Sequence, residues 1–221
     1  MKNKTNSGNQ TKLWLNVASS TYVLKDFVNL DNHVFLKYRA MLPFIKRMMT
    51  TKHAKLANEY SSAMERATLL QHDCRKKLNF GDNTVDHILC SHFLEHVYLD
   101  EAKTILADFF RVLKPKGTLH IIVPDLNLFV SKYLEMRTTG NDYAGDEFMN
   151  NCLLSKPSKG SLRYRLMEFG GGFGLQHRWM YDSASMSRHI SNTGFKIDNT
   201  LDVPSDAFRK NDDSVHIRAI K

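Results

Sequence analysis

Between Asp86 and Asp125 the chain reads as strand, loop, helix, turn and strand. His87-Ile88-Leu89-Cys90 is a short apolar strand. From Asp100 onward, apolar residues fall at Ala102, Ile105, Leu106, Phe109, Phe110 and Leu113, the i, i+3, i+4 spacing of an amphipathic helix. Asp100 is the expected N-cap, with Glu101 behind it in the first turn. Lys114-Pro115-Lys116-Gly117 stops the helix, with cations at its C-terminal end and then Pro and Gly. Thr118 to Val123 forms the next strand, closed by Pro124-Asp125. A strand–helix–strand of this length predicts a right-handed crossover between parallel strands, and so a sheet with helices on both faces.

The same reading extends over the rest of the chain. Leu13 to Val17 is a first buried strand and Asp26 to Asp31 a second. Asp31 lies only 11 residues beyond Ser20, against about 20 from glycine fingerprint to acid in dinucleotide-binding folds. The intervening helix must be truncated or replaced by a loop. Met41, Leu42, Phe44, Ile45, Met48 and Met49, then Leu56, Tyr60, Met64, Ala67 and Leu69-Leu70, predict two helices broken near Thr50-Thr51. They form a lid or side wall. Leu69 to Asp73 leads a third strand, and Gly81 to Thr84 is a turn. Leu126 to Met136 reads as a helix and Thr138 to Ser161 as a polar connection. Gly170-Gly171-Gly172-Phe173-Gly174 has neither a preceding strand nor GxGxxG spacing, so it is read as a mobile substrate-side loop and not a phosphate loop. Ser183 to Thr193 is a helix ended by Gly194. Phe195 to Ile197 and Ser214 to Ile220 are the last strands.

Composition narrows the class. With 221 residues, 42% hydrophobic and 24% charged, the chain suits one substantial globular domain. No window approaches the ~18 uninterrupted apolar residues of a membrane span, and the polar start MKNKTNSGNQTK lacks the apolar core of a secretory signal. Cys74, Cys90 and Cys152 are odd in number and share no metal-ligand spacing, which reads as reduced cysteines in a cytoplasmic protein. The net charge of +8 and pI near 9.3 are compatible with anionic partners. The basic residues are dispersed, however, in Lys46-Arg47, Arg75-Lys76-Lys77, Lys114/Lys116 and Arg163/Arg165, and are read as solvated surface.

The phrases SHFLEHV, FRVLKPKGTL and VPD in Ser91–Asp125 resemble the core of the SAM-dependent methyltransferases with a Rossmann-like fold. The likeness is to the broad type 11 group, and FVNLD and HRWMYD are similar to a small bacterial branch of it. That resemblance implies an α/β fold: a Rossmann-like doubly wound sheet, mostly parallel with an antiparallel final strand, a shortened first helix and a helical insertion. It implies a flexible tail over about residues 1–10 and a single domain over 11–221. The insertion would span about 33–68 and a substrate-side loop about 138–180. The implied cofactor is S-adenosyl-L-methionine (SAM), with S-adenosylhomocysteine as product.

Site residues follow by matching positions. Val17, Ala18, Ser19 and Ser20 occupy the cofactor loop, with Ala18 and Ser20 standing where the family reads glycine. Asp31 is the acid that accepts hydrogen bonds from the ribose hydroxyls. Asp73 approaches the adenine amino group, with Cys74 supplying a backbone contact. Ser91, His92 and Leu94 face the methionine end and adenosine, and Glu95 and His96 begin the wall near the methyl group.

Methyl transfer from a sulfonium is an in-line displacement, so alignment comes first and can supply ~7–11 kcal/mol of barrier reduction. An oxygen nucleophile also needs its proton removed, a task suited to His. His177, before the signature tryptophan, is the expected base and His96 the second candidate. His92 and His96 lie four apart, but HExxH is absent and no third ligand is evident, so no metal is expected. The favoured function is a SAM-dependent methyltransferase acting on a small molecule or glycan precursor. The alternative is a methyltransferase-like scaffold that has lost catalysis, motivated by Ala18 and Ser20. A nucleic-acid methyltransferase is the third reading, motivated by charge but lacking an Asn-Pro-Pro-Tyr-type motif.

Overall fold

The computed structural model describes residues 12–47, 50–154, 176–210 and 212–221. The expected loop at Gly170–Gly174 and the pair Arg163/Arg165 lie outside these residues, as do Met48 and Met49.

Seven strands form one sheet: β1 (Trp14–Val17), β2 (Val28–Asp31), β3 (Leu69–Gln71), β4 (Val85–Ser91), β5 (Leu113–Pro124), β6 (Lys196–Ile197) and β7 (Ser214–Ile220). Their order is β3-β2-β1-β4-β5-β7-β6. The first five are mutually parallel, and β7 runs antiparallel to both β5 and β6. The sheet therefore has the expected mostly parallel character with a reversed last strand.

Between β2 and β3 lie α1 (Val34–Lys37), α2 (Leu42–Lys46) and α3 (Thr51–Arg66). Phe35, Leu36, Leu42, Ala57, Tyr60 and Ala63 bury themselves here against Leu69 of β3. The main core lies where α4 (Leu99–Val112) and α7 (Ser183–Asn192) cover one face of the sheet. Ala102, Ile105, Leu106 and Phe109 face Leu15, Ile88 and Ile121, each large side chain contributing roughly 1.5–3 kcal/mol by leaving water. α5 (Leu126–Thr138) follows β5 and packs with α6 (Ala144–Asn151).

Three local expectations change. The N-cap position of α4 is Tyr98, not Asp100, because Glu101 reaches back to accept the Tyr98 N–H at 2.9 Å. The stretch read as a polar connection contains α6, whose Asp146 and Glu147 occupy a first turn. The helix stop Lys114–Gly117 is itself part of β5, since Leu113 already takes extended angles and pairs with Val85.

No helix separates β1 from β2. Two buried asparagines show what takes its place. Asn16 Nδ2 donates to the Tyr22 carbonyl and to Asn29 Oδ1, both at 2.9 Å. Asn29 Oδ1 accepts the Leu24 N–H, and its Nδ2 donates to the carbonyls of Leu24, Phe27 and Thr68. A loop laid on a sheet carries backbone groups that need partners, and these two side chains provide them. Around this network Phe27, Leu89 and Ile122 make a small second-face core with Trp14, Leu24 and Phe208.

Candidate functional site

Because β1 to β4 run parallel, their C-terminal ends gather on one edge of the sheet, where open α/β sheets place their ligand crevice. At the end of β1, Val17 is wholly buried in the core. Ala18 and Ser20 have φ of 55° and 48°. These are left-handed conformations that glycine adopts freely and L-residues at a cost of roughly 1–2 kcal/mol each. The loop is held down by hydrogen bonds from Ser19 N–H to the Leu30 carbonyl (2.9 Å) and from Ser20 N–H to Asp31 Oδ2 (3.0 Å).

Asp31 closes β2 and serves as the hub of this corner. Its Oδ1 accepts the His33 N–H at 2.8 Å and the Tyr60 hydroxyl at 3.0 Å. The Tyr60 ring stacks on His33 at 4.4 Å. Burial first, and Asp31 second, push the Tyr60 phenol well above its ordinary range. Beyond β3, Asp73 is engaged by Arg75, whose Nε and Nη2 donate to its two oxygens at 3.0 and 2.9 Å. These bonds hold its carboxyl below the usual range against the desolvation that raises it. Cys74 lies beneath, 4% exposed, its thiol pushed up to about 12 by burial.

A second constellation forms where β4 ends. Ser91 Oγ is buried without a hydrogen-bond partner. His92 takes φ of 51° and donates its N–H to the Ile122 carbonyl. Its ring contacts Ser214 Oγ at 3.1 Å through Nε2 and stands 3.4 Å from Glu95 Oε1 through Nδ1. The turn Leu94–His96 then carries Leu94 into the core at 0% exposure, so its side chain packs inward and not toward a ligand.

Glu95 is the centre of this constellation. Its side chain is 0% exposed and neither carboxylate oxygen has a hydrogen-bond partner. Its carbonyl accepts the N–H groups of Arg178 (2.7 Å) and Trp179 (3.2 Å), which clamps the HRW segment onto the sheet edge. That clamp sets the His177 ring 4.9 Å from the His96 ring, edge to face. His96 Nδ1 pairs with the Gln176 carbonyl at 3.2 Å, and its Nε2 is 3.9 Å from Glu95 Oε1. Burial lowers the His177 pKa, opposed by the nearby Glu95. Its Nδ1 is buried and unpartnered.

Two groups of expected residues are thus assembled. The cofactor positions Ala18, Ser19, Ser20 and Asp31 form one bonded corner with Cys74 beneath it, and His92, His96 and His177 form another around Glu95. Asp73 turns its carboxylate to Arg75. Sequence reading treated Glu95 only as wall and missed Asn16, Asn29 and Ser214. Ser214 is 122 residues from its partner His92, and no local pattern carries such a pairing.

The model of a family described as a methyltransferase domain matches residues 44–121. That match spans 78 of the 221 residues. The match begins in α2 and ends within β5, so it leaves Ala18–Ser20 and His177 outside its span. The PH0226 protein from Pyrococcus horikoshii OT3 is similar in structure at 16% identity, with TM-score 0.51, over 97% of this chain and 84% of that one. A SAM-dependent methyltransferase from Archaeoglobus fulgidus is similar at 12% identity and TM-score 0.51, over 96% of this chain and 87% of that one. At these identities the likeness is one of fold. No curated protein sequence matches the chain.

SAM is the cofactor that the resemblance to methyltransferases implies. The residues present fit such a molecule at two points. The Ala18–Ser20 backbone already holds the left-handed turns that glycine would give it, and the buried hydroxyl of Ser91 lacks a partner at the end of β4. When bound, SAM supplies an electrophilic methyl group on sulfur. No helix among the described residues is long and apolar enough to cross a membrane.

Proposed function

We propose that this domain methylates an oxygen or nitrogen of a small-molecule or glycan-precursor acceptor. The observation that carries the reading is the imidazole pair His96–His177, 4.9 Å apart, beside the buried Glu95. In this reading Val17, Ala18, Ser19, Ser20 and Asp31 hold the cofactor, with Asp73, Cys74, Ser91, His92 and the Leu94 backbone completing its wall. Asp31 reaches the ribose hydroxyls by exchanging its Tyr60 contact for them. The acceptor enters beside the HRW segment, within a substrate-side region of about residues 138–180, and the two imidazoles deal with its proton. Three free, buried cysteines support a reducing, cytoplasmic setting.

The test is a calorimetric titration of the folded protein with SAM and with S-adenosylhomocysteine, followed by acceptor screening. Saturating ligand at ~100 times its dissociation constant stabilises by about 2.7 kcal/mol. Folded protein without any response would overturn the enzymatic reading and leave a scaffold role. His177→Ala is expected to keep cofactor affinity and lose most turnover, and near-full turnover would remove His177 from the site.

A further inference from the structure

A buried carboxylate whose oxygens accept no hydrogen bond is costly to keep in the folded chain. Glu95 is such a group: fully buried, with both oxygens unpartnered. Its immediate neighbours supply nitrogen atoms and no N–H donor in hydrogen-bonding geometry. His96 and His177 each offer a ring nitrogen that, with a Glu95 oxygen, forms a set lying within 4.8 Å of one another. The unpartnered Nδ1 of His177 is the second orphan of this small volume. The Gln176 carbonyl beside His96 Nδ1 fixes the tautomer with its proton on that side, leaving Nε2 with its lone pair toward Glu95, as second-shell carbonyls do for metal-bound histidines.

We propose that Glu95, His96 and His177 bind one divalent first-row cation, with His92 flanking it. One carboxylate and two imidazoles make the three-ligand set of open catalytic sites, in which further positions remain for water or substrate. Mixed nitrogen and oxygen donors favour Zn2+, Mn2+, Co2+ or Fe2+ over Ca2+. A cation here removes both orphans at once and explains why the HRW segment is clamped to the Glu95 carbonyl: the clamp brings the third ligand, 82 residues downstream of Glu95, to the other two. In the sequence no third ligand is evident beside His92 and His96. His177 is that ligand, and His92, four residues from His96, flanks the site through its 3.4 Å approach to Glu95.

The consequence for the chemistry rests on the methyl-transfer reading above. An acceptor hydroxyl in an open position of the cation becomes more acidic. Its proton leaves to solvent, its oxygen bonds to the methyl carbon, and the carbon–sulfur bond breaks with its electron pair remaining on sulfur. His177 then acts as a ligand, and the cation does what a free base would otherwise do.

The experiment uses the full chain, stripped with EDTA and dialysed, titrated with Zn2+ and with Mn2+ by calorimetry, and with Co2+ by visible absorption. One cation per chain is expected, with a rise in Tm and Co2+ bands of a nitrogen- and oxygen-ligated site. Glu95→Gln and His177→Ala should each weaken binding by at least the roughly 10–100-fold that loss of an outer-shell partner costs. His96→Gln, at a partly exposed position, serves if either buried variant fails to fold. Absence of binding overturns the proposal, as does one-to-one binding left unchanged in these variants. SAM titrated in parallel keeps the two readings apart. Binding of SAM without a cation removes only the metal site, and binding of a cation without SAM supports it while removing methyl transfer.

Discussion

The amide of Ser20 donates to the carboxylate of Asp31 at 3.0 Å, tying the end of β1 to the end of β2 across eleven residues. Where a helix would ordinarily fill this crossover, this charge-assisted bond and that from the Ser19 N–H to the Leu30 carbonyl hold left-handed Ala18 and Ser20 in place. Asp31→Ala should therefore act twice. It should lower stability by about 1–3 kcal/mol, because the Ser20 and His33 amides and the Tyr60 hydroxyl lose their acceptor. It should also weaken SAM binding, measured by calorimetry on the folded variant. Unchanged affinity would refute the ribose assignment.

Ala18→Gly tests the same loop from the opposite direction. Glycine removes a left-handed penalty of roughly 1–2 kcal/mol but adds back about 0.5–1 kcal/mol through the unfolded chain. Stability should stay within about 1 kcal/mol of the parent. Cofactor affinity should rise, since the missing Cβ lets the backbone approach more closely. Weaker binding in Ala18→Gly would mean that the alanine itself makes a contact the ligand needs.

Asn29 carries the loop that replaces the first helix. Its side chain serves four backbone groups of Leu24, Phe27 and Thr68 and pairs with Asn16, all in a buried setting. Truncation leaves several polar groups unsatisfied, each at ~1–3 kcal/mol. Asn29→Ala is expected to cost roughly 3 kcal/mol or more by urea denaturation, and Asn16→Ala less. A loss under about 0.5 kcal/mol would show that the loop finds other partners.

The face beneath that loop also holds a histidine network that should make stability depend on pH. His87 Nε2 and His120 Nδ1 both bond Ser205 Oγ, at 2.9 and 2.8 Å, and His120 Nε2 contacts His216 at 3.1 Å. Burial holds the folded pKa of His87 at about 4 and of His120 at about 3, against about 6.5 in the unfolded chain. Between these values the unfolded chain binds more protons, so stability rises with pH. It is fully present above about pH 6.5 and is lost as pH falls toward 4, at up to about 1.4 kcal/mol per unit for each ring. His33, His177 and His189 are shifted in the same direction and leave a residual slope. Aspartates held low, such as Asp86, lose their contribution only below about pH 4. Urea midpoints from pH 6.5 to 4.5 should fall steeply in the parent and less in His120→Asn, and parallel slopes would sink the assignment.

The sheet and the α4 crossover were legible because they rest on short-range rules: period-2 and period-3.6 burial, Gly194 at a helix end, a strand that closes on an acid. The missing first helix was legible too, from the short gap between Ser20 and Asp31. What replaced it was not, because Asn16 and Asn29 look like any strand polar residue until their backbone partners are known. The same holds for the site. His96 and His177 stood out singly, yet their meeting depends on the Glu95 carbonyl catching Arg178 and Trp179, a contact between segments that no periodicity connects. The N-cap assignment to Asp100 failed for a local reason, since Glu101 one residue on reaches further back than a cap at Asp100 allows.

The irregular start of β5 supplies a last test, because it reverses the usual roles of Lys116 and Gly117. Left-handed backbone falls on Lys116, with φ of 67°, and not on Gly117. Gly117 is needed for space: a Cβ there would lie 2.8 Å from the Lys114 carbonyl and 3.1 Å from Leu113 Cδ2. The turn is pinned on both sides, since Lys116 N–H donates to the Lys221 carbonyl and Lys221 N–H to Gly117, each at 3.0 Å. The Lys221 ammonium also donates to the carbonyl oxygens of Phe110 and Leu113 at the end of α4. Relaxing Gly117 away from a new Cβ would disturb all of these contacts. Gly117→Ala should therefore cost about 1–3 kcal/mol. Lys116→Gly, by contrast, should stay within about 1 kcal/mol of the parent, because the strain it relieves offsets the added freedom of the unfolded chain. Urea denaturation at constant m separates the two, and a Gly117→Ala variant as stable as Lys116→Gly would show that the turn has room to shift.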